Sequence, residues 1–186
     1  MKIKELPINQ ALNSKFKIEE LKSTIKALKN NKATGTDRVT NEFLKLATED
    51  ILKVYLDYIN LNLEVGATCT EWCQSIISLI HKEGTKEDPN NFRGICIMNT
   101  LLKVICTLLN NRLTSYCTEN NLINEEQIGF QKNNRTSDHI TTLKTIVNKC
   151  VTEKKGSKLF TCFVDFQKAF DSVTRDKLFQ KLLNNS

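Results

Sequence analysis

Apolar residues recur at helical spacing in five segments of the chain, and this pattern constrains the fold more than any other feature. It predicts helices over residues 15–29, 41–47, 49–65, 99–119 and 136–153. Gly66 is a suitable stop for the third helix, and Thr136-Ser-Asp138 is a start signal for the fifth. Arg112 is expected to emerge near the end of the fourth. The chain should therefore be mainly helical.

Two β-favouring runs, residues 76–80 and 95–98, are joined by a charged connection and predict a β-hairpin. Lys82 and Arg93 lie in that connection. A lysine offers a point charge and an arginine offers a fork for two phosphate oxygens, so the hairpin can close over a triphosphate. The alternative, which the residues alone favour, is a solvated charge run that keeps the hairpin soluble. His81 is expected to pack or lie on the surface rather than to catalyse.

A third β-favouring run, residues 159–164, follows a Lys-Lys-Gly-Ser turn and predicts a buried strand. Asp165 lies at its end, Asp171 follows six residues later, and a helix is expected to begin near Thr174. A carboxylate at a strand end must meet a cation or water, and this position suits metal-assisted phosphoryl transfer. The plain alternative is that Asp165 caps a turn and Asp171 precedes a helix.

The stretch Phe163–Val173 resembles motif A of reverse transcriptases, in the form found in non-LTR (LINE-type) retrotransposons. Three upstream blocks resemble the same family in order and approximate spacing, so the combined match is far more specific than any one block. These blocks are Lys32–Asp37, residues 80–84 with 91–95, and residues 127–130 with 135–140.

The resemblance implies an α+β fold: mainly helical fingers with a β-hairpin, plus the first strand and helix of a right-hand polymerase palm. On this basis residues 1–14 are an irregular lead-in, residues 15–157 are the fingers and connecting helices, and residues 158–186 begin the palm. The Gly35 loop would lie at the fingers near the template. From the residues alone, an ordinary turn between two helices is an equal alternative.

The resemblance also implies an RNA-directed DNA polymerase in which Asp165 binds two Mg²⁺ ions and the carbonyl of Phe166 completes a metal shell. The N–H groups around Lys168 and Ala169 would face phosphates. Phe170 falls where the family places an aromatic steric gate, which excludes the 2′-hydroxyl of a ribonucleotide by clash. Asp171 is expected to have a structural role.

By position in the same family, Lys82 and Arg93 hold the phosphates of the incoming nucleotide. Gln127, Gly129 and Phe130 position the template strand, for which an amide side chain and a glycine of close approach are suited. The alternative for this block is a structural loop that Phe130 packs. The implied partners are an RNA template, a DNA primer and deoxynucleoside triphosphates.

The chain contains no Asp-Asp pair, although the full catalytic set of the family needs one downstream of motif A. We therefore expect an N-terminal fragment that ends just after motif A and is inactive alone, with palm and thumb segments missing. The alternative is a non-catalytic nucleic-acid-binding remnant of such an element.

The composition gives a net charge of +6 and a pI of about 8.9, which favours polyanionic partners. Seven dispersed cysteines fit reduced thiols in an intracellular protein, and for a retrotransposon protein the nucleus is a compatible compartment. Cys69, Cys73 and His81 lack the second ligand pair that a zinc site would need. No apolar run approaches the ~20 residues of a membrane span, and no signal-peptide core begins the chain.

Overall fold

The computed structural model describes residues 9–153, 158–167 and 169–184. The residues from 9 to 120 form one unit, and the described residues from 121 onward belong to a second.

The first unit contains five helices and a two-stranded antiparallel sheet among its residues. The α-helices are α1 (Gln10–Asn13), α2 (Ile18–Ala27), α3 (Asn41–Lys45), α4 (Glu49–Val65) and α5 (Thr100–Glu119). The strands are β1 (Ile76–His81) and β2 (Phe92–Ile97), and short 3₁₀ turns at Thr70–Cys73 and Pro89–Asn91 precede each of them. The predicted helices and the predicted hairpin are thus confirmed in this unit.

The hydrophobic core of the first unit lies where α2, α4 and α5 pack together. Leu21, Ile59 and Val104, one from each helix, are fully buried. The helical spacing of apolar residues in α4 predicts a face that includes Ile51, Tyr58 and Leu63. The observed face is narrower, because these three residues are 40–49% exposed. On that helix the buried residues are Leu52, Tyr55, Leu56 and Ile59.

Local capping explains where the helices of the first unit begin and end. The hydroxyl of Thr40 accepts a hydrogen bond from the Phe43 N–H at 3.1 Å and so caps α3. Gly66 ends α4 in the left-handed conformation, with φ of 67°, as the sequence predicts. Its N–H donates to the Asn62 carbonyl at 2.9 Å.

The Lys32–Asp37 loop is fixed to the N-terminus of α5. The Asp37 carboxylate accepts a hydrogen bond from the Thr100 N–H at 2.8 Å, which satisfies a backbone donor that has no partner within the helix. The Asn99 side chain accepts from the Thr36 hydroxyl at 2.8 Å. A Cβ on Gly35 would lie 2.5–2.7 Å from Asn99 atoms, including its backbone, so the block needs glycine for close approach.

Arg112 is held within the first unit and does not emerge from α5 as expected. Its Nε and Nη2 atoms each donate to the Glu20 carboxylate at 2.9 Å, and further N–H groups donate to the carbonyls of Ser14 and Lys15. Its guanidinium carbon lies 3.9 Å above the centre of the Phe16 ring. Arg112 therefore ties the segment before α2 to α5.

The second unit contains three helices among its described residues: α6 (Thr136–Glu153), α7 (Ala169–Ser172) and α8 (Arg175–Asn184). The predicted bounds of α6 are confirmed, and the Asp138 carboxylate accepts from the Arg135 N–H at its start. The spacing of apolar residues in α6 predicts one face with Ile140, Leu143, Val147 and Val151. This face is largely exposed, since its first and last members are 63% and 64% exposed.

The predicted buried strand over residues 159–164 is wrong for this structure. The segment from Lys158 to Phe166 has no regular secondary structure, and Phe160, Phe163 and Val164 are 74–88% exposed. A strand must pair its backbone N–H and C=O groups with a neighbour. Among the described residues β1 and β2 pair only with each other, so this segment has no strand beside it.

Candidate nucleotide and template site

The hairpin places Lys82 and Arg93 on the same face. Arg93 pairs with Ile80 across the two strands, and the Lys82 N–H continues the ladder with a hydrogen bond to the Asn91 carbonyl at 2.7 Å. Side chains two residues apart on a strand share a face, so Lys82 and Arg93 are diagonal neighbours. Both are exposed, and the Lys82 ammonium lies 3.8 Å from the Glu83 carboxylate.

The charged connection predicted over residues 82–93, whose last two residues lie in β2, is charge-balanced, not basic. It carries Lys82, Lys86 and Arg93 against Glu83, Glu87 and Asp88. The field of the whole connection therefore does not attract an anion, and any binding of phosphate must depend on the position of individual cations.

Side chains within the hairpin hold its connection in one shape. The Asn91 amide donates to the Thr85 carbonyl at 2.8 Å, and Gly84 takes a positive φ of 82° close against Asn91. His81 packs edge to face on Phe92, with ring centroids 5.2 Å apart. The expectation that His81 is a packing residue is confirmed.

The predicted template block, Gln127–Phe130, forms an exposed turn in the second unit. The Gln127 amide donates to the Gly129 carbonyl at 3.0 Å, so this side chain closes its own loop. Phe130 is 94% exposed and adopts a positive φ of 61°. The alternative that Phe130 packs the loop as a buried anchor is therefore wrong.

Asp165 lies in the irregular segment before α7 and is exposed. Its carboxylate has no hydrogen bond or ion pair with any part of the chain that the structure describes. Phe166 follows, with 75% of its surface exposed. Lys168 lies outside the described residues, and Ala169 begins α7.

The structure brings Phe130 and Phe170 together. Their ring centroids are 6.1 Å apart and the ring planes are almost perpendicular, at 88°. This is the edge-to-face geometry that aromatic pairs prefer. One ring comes from the predicted template loop and the other from the predicted steric gate. This contact was not predicted, because nothing in the sequence between the two residues signals it.

The residues at Asp165 suit a magnesium ion only in part. Mg²⁺ prefers oxygen ligands and is commonly bound by one or two carboxylates together with waters and substrate phosphates. The exposed carboxylate of Asp165 and the adjacent Phe166 carbonyl match one such ion. Among the side chains that the structure describes, which do not include those of Glu153 and Asp171, no three His, Cys, Asp or Glu residues are grouped as a metal site.

Comparison with known proteins defines the class. Residues 80–185 match the family described as "Reverse transcriptase (RNA-dependent DNA polymerase)". The chain therefore belongs to the reverse transcriptase family, as predicted, and divalent metal ions are generally used by that family.

The relatives it matches are proteins of retrotransposons and other mobile elements. It is 32% identical over 181 residues to the probable RNA-directed DNA polymerase from transposon BS of Drosophila melanogaster, covering 96% of this chain and 20% of that protein. It is 28% identical to the polymerase from mobile element jockey of the same species, covering 95% and 19%. It is 25% identical to the Pol polyprotein from element R2 of Popillia japonica, covering 88% and 21%.

The chain spans about a fifth of the length of these relatives. The predicted assignment to reverse transcriptases of non-LTR retrotransposons is confirmed. In the described part of the chain, no helix is both long enough and apolar enough to cross a membrane.

Proposed function

We propose that this chain is the part of a retrotransposon RNA-directed DNA polymerase that carries a triphosphate-binding hairpin, a template loop and one metal-binding carboxylate. The observation that carries the proposal is the contact between Phe130 and Phe170. It joins a loop assigned to the template with a ring assigned to sugar selection. On this reading residues 15–157 are fingers and residues 158–186 begin the palm.

Asp165 is the catalytic residue of the proposal. Its exposed carboxylate and the Phe166 carbonyl would hold Mg²⁺ together with the triphosphate of the incoming nucleotide. When bound, two magnesium ions supply activation of the primer 3′-hydroxyl and stabilisation of the leaving pyrophosphate. The backbone N–H groups around Lys168 and Ala169 would donate to phosphate oxygens.

Arg93 and Lys82 bind phosphate oxygens in this proposal. Support comes from their placement on one face of the hairpin, and from the shape that Asn91 and Gly84 impose on the connection. Because the connection has no net charge, Arg93 acts through its planar fork rather than through a general positive field.

Gln127, Gly129 and Phe130 contact the template strand in this proposal. The Gln127–Gly129 hydrogen bond fixes the loop that presents them. Phe170 excludes the 2′-hydroxyl of a ribonucleotide. The ligands are therefore an RNA template, a DNA primer and deoxynucleoside triphosphates.

A second candidate is a nucleic-acid-binding protein without catalysis. Two observations favour it: the net charge of +6, and the lack of a three-ligand metal group among the described residues. It predicts salt-sensitive binding of RNA without nucleotide incorporation.

Nucleotide binding tests the first candidate. The chain is titrated with dATP in the presence of an RNA template, a DNA primer and Mg²⁺, with Ca²⁺ or EDTA as comparison conditions. Asp165→Asn should remove the dependence of dATP affinity on Mg²⁺. Asp57→Asn, an exposed aspartate on α4, is the matched control and should leave this dependence intact.

Arg93→Ala should weaken the binding of dATP about tenfold or more, because a charge-assisted hydrogen bond is lost. The dATP affinity of Arg93→Lys should lie between those of the parent chain and Arg93→Ala, because lysine keeps the positive charge but lacks the planar guanidinium fork. Lys86→Ala removes a cation from the same connection and should have little effect. Equal losses in Arg93→Ala and Lys86→Ala would mean that the hairpin offers only diffuse charge.

Primer extension separates the two candidates. Incorporation of dNTPs that Asp165→Asn abolishes would exclude the second candidate. RNA binding that weakens with salt, with no incorporation and no Mg²⁺-dependent affinity for dATP, would support it.

A further inference from the structure

Phe130 combines an unusual backbone conformation with an exposed side chain. Its φ of 61° lies in the left-handed region, which is uncommon for a bulky residue without special reason. Its side chain is 94% exposed, so burial does not offset that cost. Residues held in such conformations cluster at functional sites, where the surrounding structure imposes them.

The loop around Phe130 imposes this conformation through hydrogen bonds on both sides. Before it, the Gln127 amide donates to the Gly129 carbonyl at 3.0 Å. After it, the Gln131 N–H donates to the Ile128 carbonyl at 3.3 Å. The ring is therefore presented outward by a closed turn.

The partner ring, Phe170, lies on a short helical element that has little described side-chain support. Phe170 lies on α7, a single turn of helix whose described side-chain support is the Ser172 hydroxyl bonded to the Ala169 carbonyl at 3.0 Å. Phe170 is 81% exposed. Among the described residues, Phe130 provides the one ring contact to Phe170.

We propose that Phe130 is a positioning residue for nucleotide selection: its ring holds Phe170 in the orientation that rejects a ribonucleotide. This inference rests on the proposed function, in which Phe170 is the steric gate. It goes beyond that function by assigning sugar discrimination to two segments of the chain, the turn around Phe130 and helix α7, instead of one. A gate works by clash, so a ring that is free to rotate away admits the 2′-hydroxyl.

The expected effect is on the ratio of dATP affinity to ATP affinity, measured within one variant. An edge-to-face ring pair shifts an equilibrium by about two- to tenfold. Phe130→Ala should therefore lower the preference for dATP over ATP by about that factor. Phe130→Tyr keeps the ring and should keep the preference.

The test measures dissociation constants of dATP and ATP for the 186-residue chain with RNA template, DNA primer and Mg²⁺. The variants are Phe130→Ala, Phe170→Ala and the double substitution. If Phe130 acts through Phe170, the single Phe170→Ala change removes the preference and adding Phe130→Ala changes nothing further. Phe160→Ala, at a ring of similar exposure in the same unit, is the matched control and should not alter the preference.

Each outcome decides between the two ideas. A parent chain that prefers dATP, with an unchanged preference in Phe130→Ala, overturns the role of Phe130 and leaves the proposed function in place. A loss in Phe130→Ala that persists at full size in the Phe170→Ala background also overturns it. A parent chain that binds neither nucleotide, or binds both equally, contradicts the proposed gate and this inference together.

Discussion

The two units of the chain use similar helical sequences in opposite ways. In the unit formed by residues 9–120, helices α2, α4 and α5 bury one face each, and every buried apolar residue lies between Phe16 and Leu108. From residue 121 onward, none of the side chains whose burial is described is buried. The apolar positions of α6 are as regular as those of α4, yet they remain exposed.

The comparison distinguishes residues that stabilise the fold by burial from residues that are exposed and available to a ligand. The first unit is a packed scaffold that presents the hairpin. The second presents an exposed carboxylate, a closed turn and a pair of exposed rings, which are features that a ligand can contact. Four predicted site residues of the second unit, Phe130, Asp165, Phe166 and Phe170, are all exposed.

The largest expected difference between the units is in the cost of truncating an isoleucine. Ile59→Ala removes a fully buried side chain from α4 and should lower the free energy of unfolding of the first unit by about 2–5 kcal/mol. Ile140→Ala makes the same change at a 63% exposed position in α6 and should stay within about 0.5 kcal/mol. Urea denaturation of both variants measures the two changes in the free energy of unfolding. Similar losses would show that α6 is packed after all.

A smaller difference is expected between two glycines. Gly35→Ala forces a Cβ to within 2.5–2.7 Å of Asn99 and should cost about 1–3 kcal/mol, as overpacking does. Gly129→Ala would place a Cβ 3.3 Å from the end of the flexible Gln127 side chain, so the expected cost is below about 1 kcal/mol. Thermal unfolding monitored by circular dichroism compares them. An unchanged stability in Gly35→Ala would mean that the Lys32–Asp37 loop is not fixed to α5.

The smallest expected effect is a dependence of the stability of the first unit on acidic pH. The hydrogen bond from Arg112 lowers the pKa of the Glu20 carboxyl below its ordinary value of 4.5, against an opposing contribution from burial. A lowered pKa in the folded state means that ionised Glu20 stabilises the protein above pH 4.5 and that this stabilisation is lost as the pH falls below it.

Glu20→Gln should remove that part of the acid dependence, which is about 0.5–1 kcal/mol after allowing for the partial exposure of the pair. Glu19→Gln, at an exposed neighbour without a described ion pair, should retain it. Urea midpoints measured from pH 6 down to pH 3 compare the three proteins. Parallel curves for the parent chain and Glu20→Gln would contradict the pairing with Arg112.

Local signals in the sequence predicted most of the first unit. The bounds of α4 match the prediction, because its apolar spacing ends at a glycine that adopts the left-handed conformation. The hairpin was also predictable, since its two runs are adjacent in sequence. The exposure of Ile51 and the burial of Arg112 were not, because both depend on which distant segments cover a helix.

The candidate site was predicted less completely. The resemblance identified Asp165 and Phe170 by their positions in one motif, and the family match bears out the assignment on which they rest. The strand over residues 159–164 was wrong, because the sequence of a strand does not specify its neighbour. The contact of Phe130 with Phe170 was missed because side-chain pairing across loops leaves no periodic signal.

Hydrogen–deuterium exchange tests the central claim most directly. Exchange is measured for the chain alone and for the chain with RNA template, DNA primer, a dNTP and Mg²⁺. The reference is the same mixture without nucleic acid and nucleotide. The account predicts slower exchange in residues 82–93, 124–135 and 158–173, with α4 unchanged. Slower exchange confined to α2 and α4, or no change anywhere in the chain, would contradict it.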